Sequence, residues 1–157
     1  PYGVARPQEL GFQGVYCLNP ETKNLTLLVD DFEKPNGLCF SLDEKMLFIN
    51  DTARQHLRAF DVTTDGQLEN GRLWAELTGD EAGVADGMKV DMAGRLFCTG
   101  PGGLYVFDQK AELLGRILVP QQAANFTWGD GDLCSLYITA SQTLYRIRVK
   151  HAGPSLF

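Results

Sequence analysis

Three oxygen-bearing side chains stand at one equivalent position in three similar stretches of this sequence. Asn36, Asp86 and Asn125 each open a short apolar segment that is predicted to be a β-strand. Carboxylate and amide oxygens suit a hard divalent cation, since Ca²⁺ takes about six to eight oxygen ligands and tolerates irregular geometry. An ion held there would polarise a carbonyl or phosphoryl oxygen and acidify a bound water. Asp86 is the anionic member of the three and is therefore the candidate catalytic base.

The same residues also fit ordinary turns. The stretches 35–37 and 85–87 read Pro-Asn-Gly and Ala-Asp-Gly, and both are common turn tripeptides. The functional interpretation therefore depends on repetition, because an oxygen-bearing side chain recurs at the equivalent position of all three stretches.

A repeated strand pattern predicts how these residues are positioned. Each repeat consists of an apolar strand, a polar turn rich in Asp or Gly, and a second strand, and the repeats begin at Asn36, Asp86 and Asn125, 50 and 39 residues apart. Third strands are predicted at 57–62, 103–108 and 143–149, and fourth strands at 71–77 and 114–119. Such spacing fits four-stranded propeller blades better than any helical repeat. The sequence therefore predicts an all-β fold, a β-propeller of the six-bladed type.

The repeats account for only about half of such a ring. The predicted units are a partial blade at 1–34, a blade at 35–84, a blade at 85–120, a partial blade at 121–150 and a tail at 151–157. A propeller removes its exposed strand edges by closing, so we expect this chain not to close alone. The chain opens at Pro1 rather than Met, and we expect the missing half to come from an N-terminal half-propeller or from a second copy of the chain.

Loops between second and third strands are expected to surround the same end of the channel. Strand direction alternates within a blade, so these loops and the starts of the innermost strands lie on one face of the ring. The residues predicted to line a substrate pocket there are Tyr2, Asp51, Thr99 and Asn125.

Charge and hydropathy exclude several classes of partner. The net charge is −6, and no Lys/Arg-rich run is present, so binding to nucleic acid or to an anionic membrane surface is not expected. No window approaches the roughly 18 consecutive apolar residues of a membrane span, and no signal peptide is recognised, which predicts a cytoplasmic location. A Ser-His-Asp triad would depend on His56, which we interpret as a surface residue in an exposed loop.

Five stretches together resemble a known family. They are 34–38, 41–45, 85–91, 98–103 and 136–141, and they closely resemble the gluconolactonase-like members of the senescence-marker-protein, gluconolactonase and luciferin-regenerating-enzyme family. The resemblance covers almost the whole chain. It implies a six-bladed propeller that holds Ca²⁺, or alternatively Zn²⁺, Mg²⁺ or Mn²⁺, in its channel and hydrolyses sugar lactones and related esters. By this resemblance Asn36 and Asp86 match two metal ligands, and Asp86 also matches the proposed catalytic base.

The chain departs from the family pattern at its start. The family's N-terminal metal-binding Glu, and a further ligand or substrate-contacting residue, are expected before Pro1. The sequence therefore predicts the C-terminal half of a divalent-metal-dependent hydrolase, acting on small lactones or esters, that is inactive without its other half. The alternative is a non-catalytic half-propeller that assembles by homodimerisation or with a partner chain.

Overall fold

Strands and turns, with no helix, make up residues 7–155, the part of the chain that this computed structural model describes. The strands form four antiparallel sheets. This confirms the all-β fold predicted from the sequence. Within the described residues, no helix is long and apolar enough to cross a membrane.

The strands follow one another in chain order through the four sheets. The first sheet contains β1 (Gln13–Leu18) and β2 (Leu25–Phe32). The second contains β3 (Pro35–Phe40), β4 (Met46–Asp51), β5 (His56–Val62) and β6 (Leu68–Glu76). The third contains β7 (Met88–Val90), β8 (Leu96–Gly100), β9 (Gly103–Phe107) and β10 (Leu113–Leu118). The fourth contains β11 (Ala123–Gly129), β12 (Ser135–Ala140) and β13 (Thr143–Arg148).

Two of these sheets have the four strands of a complete blade, and two are shorter. In each four-stranded sheet the strands pair in sequence order, from β3 to β6 and from β7 to β10. Strand β6 begins at Leu68 rather than at 71, because the preceding turn is closed by Thr63, whose N–H donates to the Gln67 carbonyl at 3.0 Å. The architecture is that of a partial propeller, as predicted.

The hydrophobic core lies between successive sheets rather than inside any one of them. Side chains of β4 alternate between two of these layers: Leu47 and Ile49 pack towards the first sheet, and Phe48 packs towards the third. Trp74 completes the second layer, with ring centroids 4.9 Å from Phe48 and 5.6 Å from Phe107 in edge-to-face contacts. Each blade is therefore stabilised by its neighbours, which sets the angle at which the innermost strands meet.

We expect this inter-blade packing to determine the stability of the chain. Leu57→Ala, at a fully buried position of β5, should lower the free energy of unfolding by about 2–5 kcal/mol because it leaves a cavity. Leu73→Ala, in the adjacent strand but 55% exposed, should change it by less than about 0.5 kcal/mol. Urea unfolding of the two variants measures both values, and similar losses would contradict the layered arrangement.

Candidate active site

The innermost strands of successive blades approach one another at the end where they begin. Gly37 lies so close to the next blade that a Cβ atom there would overlap the backbone oxygen of Asp86. The Gly87 N–H donates to the Ala124 carbonyl at 2.8 Å, and a Cβ on Gly87 would lie 2.5 Å from the Asn125 side-chain oxygen. The structure therefore brings Asn36 in β3, Asp86 just before β7 and Asn125 in β11 to neighbouring positions on three successive sheets.

A buried amide joins β3 to the segment just before β7. Asn50, at the end of β4, has no exposed surface. Its Oδ1 accepts a hydrogen bond from the Gly37 N–H at 3.0 Å, and its Nδ2 donates to the Asp86 carbonyl at 2.6 Å. Because an amide offers an acceptor and a donor at fixed positions, this side chain sets the separation of the two strand starts.

Two threonine hydroxyls bind the peptide group between Ala85 and Asp86, one at each end. Thr99 Oγ1 accepts the Asp86 N–H at 3.0 Å. Thr52 Oγ1 donates to the Ala85 carbonyl at 2.6 Å and accepts from Asn36 Nδ2 at 3.2 Å. The backbone that carries Asp86 is thus hydrogen-bonded at its N–H and its carbonyl, and Asn36 is linked to it through Thr52.

The carboxyl group of Asp86 is half-buried, and no cationic side chain of residues 7–155 pairs with it. Burial raises its pKa above the ordinary value, and hydrogen bonding from the Asn36 side chain partly opposes that rise. Within residues 7–155, no Lys, Arg or His forms an ion pair with it. A carboxylate in this setting is a stronger base than an exposed one, and it attracts a cation because desolvation leaves its charge uncompensated.

The oxygen donors present fit a hard divalent ion but do not complete its shell. Asn36 and Asp86 lie together, and Asn125 is nearby and exposed, although its Oδ1 accepts the Phe126 N–H at 2.8 Å. The described part of the chain contains no cluster of three His, Cys, Asp or Glu side chains able to hold a metal. A Ca²⁺ ion takes about six to eight oxygens, more than these described side chains provide.

Asp51, predicted to line the substrate pocket, is instead held by the protein backbone. It is fully buried, and its carboxylate accepts N–H groups of Glu33 at 2.8 Å, Lys34 at 3.0 Å and Ala53 at 3.1 Å. Burial alone would raise the pKa of Asp51, but these bonds and one from the Arg54 N–H bring it below the ordinary value. Such a bonded carboxylate stabilises the loop after β4 and leaves little capacity to bind a ligand.

The other predicted pocket residues differ in their surroundings. Thr99 is fully buried, and its hydroxyl is used to position Asp86. Asn125 is exposed. Tyr2 lies outside the described residues.

Sequence reasoning missed the positioning role of Asn50. A signal was available, because Asn50 is polar at the end of an apolar strand and pairs with Leu57 just as Thr99 pairs with Leu104 in the next blade. The interpretation of His56 as an exposed loop residue is wrong. His56 begins β5 and is half-buried, its Nε2 has no hydrogen-bond partner within the described residues, and burial lowers its pKa.

Comparison with known proteins adds a family context to this geometry. Residues 2–142 match the family model for the SMP-30/Gluconolactonase/LRE-like region. A gluconolactonase of Zymomonas mobilis is 30% identical to this chain, and the alignment covers 98% of this chain and 46% of that protein. The chain thus spans about half the length of this relative.

Solved structures also show similarity to about half of a longer protein. A gluconolactonase of Xanthomonas campestris is 35% identical, with a TM-score of 0.78, over 89% of this chain and 46% of that one. The calcium-binding protein regucalcin of Agrobacterium tumefaciens, at 20% identity, shares the fold with a TM-score of 0.77 over 90% of this chain and 54% of that one.

The close contact at Gly37 should make that position intolerant of a side chain. Gly37→Ala should lower the free energy of unfolding by about 1–3 kcal/mol, since the new methyl group must push the Asp86 backbone away. Gly131→Ala is the matched control, because a Cβ there meets nothing within 4 Å, and it should change stability by less than about 0.5 kcal/mol. Urea unfolding compares the two, and equal losses would show that the strands do not approach as described.

The raised pKa of Asp86 predicts that replacing its carboxylate by a neutral group increases the stability of the fold at neutral pH. The folded chain binds the Asp86 proton more tightly than the unfolded chain, so the ionised group destabilises the fold at neutral pH. Without metal, Asp86→Asn should raise the melting temperature at pH 7, and the gain should disappear as the pH falls towards the ordinary Asp pKa of about 3.9.

Asp65→Asn provides the control for this pH series. Hydrogen bonding from Thr63 lowers the pKa of the exposed Asp65, so its neutralisation should not stabilise the chain at pH 7. Thermal unfolding in a chelating buffer measures both variants, and a lower melting temperature for Asp86→Asn at pH 7 would contradict the assignment.

Proposed function

The chain belongs to the SMP-30/gluconolactonase/LRE-like family, and we propose that it is the C-terminal half of a divalent-metal-dependent hydrolase of sugar lactones or related esters. The observation that carries this proposal is the Asp86 carboxyl group, half-buried beside Asn36 and without an ion-pair partner within the described residues. The names of relatives, gluconolactonases from two bacteria, supply the substrate class.

Asn36 and Asp86 would hold the ion, with Ca²⁺ the first choice because both offer hard oxygen donors. Zn²⁺, Mg²⁺ and Mn²⁺ are the alternatives. When bound, such an ion polarises the ester carbonyl and acidifies a water molecule. The chain's own contribution is positional, since the Asn50 and Thr99 hydrogen bonds fix the Asp86 backbone before any ligand arrives.

Asp86 would act as the catalytic base. Its raised pKa makes the carboxylate a better proton acceptor from the attacking water than an exposed carboxylate would be. Asn125 is exposed on the adjacent strand and has amide donors for a substrate hydroxyl or carbonyl. In this proposal Asp51 and Thr99 position the site through backbone bonds rather than touching the substrate.

The isolated chain should be inactive because it supplies only part of the metal shell. Asn36, Asp86 and Asn125 provide fewer oxygens than Ca²⁺ takes, and the chain covers 46% of the length of the Zymomonas mobilis relative. An N-terminal half-propeller would supply the remaining donors and the other wall of the substrate pocket.

A non-catalytic half-propeller is the second candidate function, and the first sheet favours it. Its outward face carries Tyr16 opposite Leu27 and Leu18 opposite Leu25, and all four are exposed. An apolar sheet face of this kind favours association with another polypeptide, either a second copy or a partner chain. Mass in solution with and without Ca²⁺ separates the two functions, since a metal-dependent dimer of the chain supports the second and a monomer argues against it.

The catalytic proposal is tested by adding an N-terminal half-propeller in trans and measuring gluconolactone hydrolysis with Ca²⁺. Activity should require both halves and Ca²⁺. Asp86→Asn should reduce the rate by about 10²–10⁴-fold, the usual contribution of a general base. Glu112→Gln, an exposed carboxylate in the turn between β9 and β10, should leave the rate unchanged.

Calcium titration by calorimetry gives a readout separate from turnover. Asn36→Ala and Asp86→Asn should both weaken Ca²⁺ binding by the reconstituted protein, whereas Glu112→Gln should not. Full activity of the purified chain without its other half, or unchanged Ca²⁺ affinity in both site variants, would refute the proposed site.

A further inference from the structure

A cavity lies between the second and third sheets, at the opposite end of the blades from Asp86. It has a volume of about 350 Å³, and its apolar lining includes Phe48, Trp74 and Val90. Leu42 and Asp43, in the turn between β3 and β4, also line it. Both sheets that form it have four strands.

Between the third and fourth sheets, the chain's own C-terminal segment fills the space that corresponds to this cavity. We call these two spaces between successive sheets the first and second junctions. The Met92 N–H donates to the Ala152 carbonyl at 3.0 Å, and the Gly153 N–H donates to the Leu133 carbonyl at 3.0 Å. Gly153 lies directly against Trp128, because a Cβ there would overlap its indole ring. A short stretch of polypeptide thus lies between the hairpin turns of the third and fourth sheets.

The turn between β3 and β4 at the first junction corresponds to the turn between β7 and β8 at the second. Leu42 follows Ser41, whose carbonyl accepts the Glu44 N–H at 2.9 Å, and Met92 follows Asp91, whose carbonyl accepts the Gly94 N–H at 2.9 Å. Leu42 and Met92 are therefore the second residues of two equivalent turns. The Met92 N–H binds the Ala152 carbonyl, whereas within residues 7–155 the Leu42 N–H has no hydrogen-bond partner.

Side-chain size explains why the first junction has space. Val90 pairs with Leu96 in the inner hairpin of the third sheet, as Trp128 pairs with Leu136 in the fourth. A valine stands where the next junction has a tryptophan, so the volume that an indole would occupy remains open beside Phe48 and Trp74. At about 350 Å³, the cavity falls within the roughly 300–1,000 Å³ of ligand pockets.

We propose that this cavity binds an extended peptide from a partner, in the way that the C-terminal segment binds at the neighbouring junction. A backbone carbonyl of the peptide accepts the Leu42 N–H, and one large apolar side chain fills the space beside Trp74. The exposed Asp43 carboxylate, whose Oδ1 accepts the Ser41 hydroxyl at 2.7 Å, favours a Lys or Arg next to that side chain.

The first test uses the 157-residue chain labelled with ¹⁵N and the capped tripeptide acetyl-Gly-Leu-Lys-amide as the probe. The Leu42 amide and Trp74 indole signals should shift together and saturate, and acetyl-Gly-Gly-Lys-amide should shift neither. No shift at the solubility limit of the leucine peptide would overturn the proposal. A Leu42 shift that depends on protein concentration without peptide would assign the cavity to a second copy of the chain and would also overturn it.

Two substitutions at Leu42 separate the backbone hydrogen bond from the side chain. Leu42→Pro removes the N–H at the turn position where proline is favoured, and Leu42→Ala removes the side chain but keeps the N–H. The dissociation constant should be about twofold to tenfold larger for Leu42→Pro than for Leu42→Ala, the range expected for one neutral hydrogen bond. Equal affinities would overturn the assignment of Leu42 as donor.

A third variant tests the cavity without altering the turn. Val90→Trp reproduces the residue found at the neighbouring junction and should abolish peptide binding by filling the space. Dispersed amide signals establish that the variant is folded. Undiminished binding by a folded Val90→Trp variant would place the peptide elsewhere and overturn the proposal.

Discussion

The hydrogen bonds of the Asn50 side chain are the constraint on which the channel end of this fold depends. One buried amide spans two blades, with its oxygen on Gly37 and its nitrogen on the Asp86 carbonyl. Both bonds lie in the protein interior, where leaving either unmade costs about 1–3 kcal/mol. The innermost strands therefore meet at a defined separation, which only glycine at the contact point allows.

This arrangement holds the backbone of Asp86 in place. The side chain of Asp86 is electrostatically unfavourable there because its charge is half-buried. Thr52 and Thr99 complete the hydrogen bonding around the peptide that carries Asp86. The carboxyl group itself is half-buried, with its pKa raised by that burial and no cation paired with it within the described residues. Burying a charged carboxylate destabilises a fold. Such groups are characteristic of functional sites, where ligand binding requires the charge.

The outward faces of the first and last sheets differ in chemistry. The first sheet presents exposed apolar side chains such as Tyr16 and Leu27. The last sheet carries polar pairs on its corresponding face, where Asp130 accepts hydrogen bonds from Tyr137 and Arg146.

The sequence by itself determined the strand repeats. Alternating apolar residues and Asp- or Gly-containing turns are local signals, so the four sheets could be predicted from neighbouring residues. The family resemblance rests on the same local stretches and agrees with the match over residues 2–142.

Only the tertiary structure decided what each polar side chain does. Asp51 binds the backbone of Glu33 and Lys34, and Asn50 binds Asp86, 36 residues further along the chain. The space beside Trp74 arises because Val90 occupies the position where the adjacent blade has Trp128. Local sequence cannot specify these outcomes, because a buried polar group takes whichever partner the packed blades bring to it, and a cavity depends on residues from two blades at once.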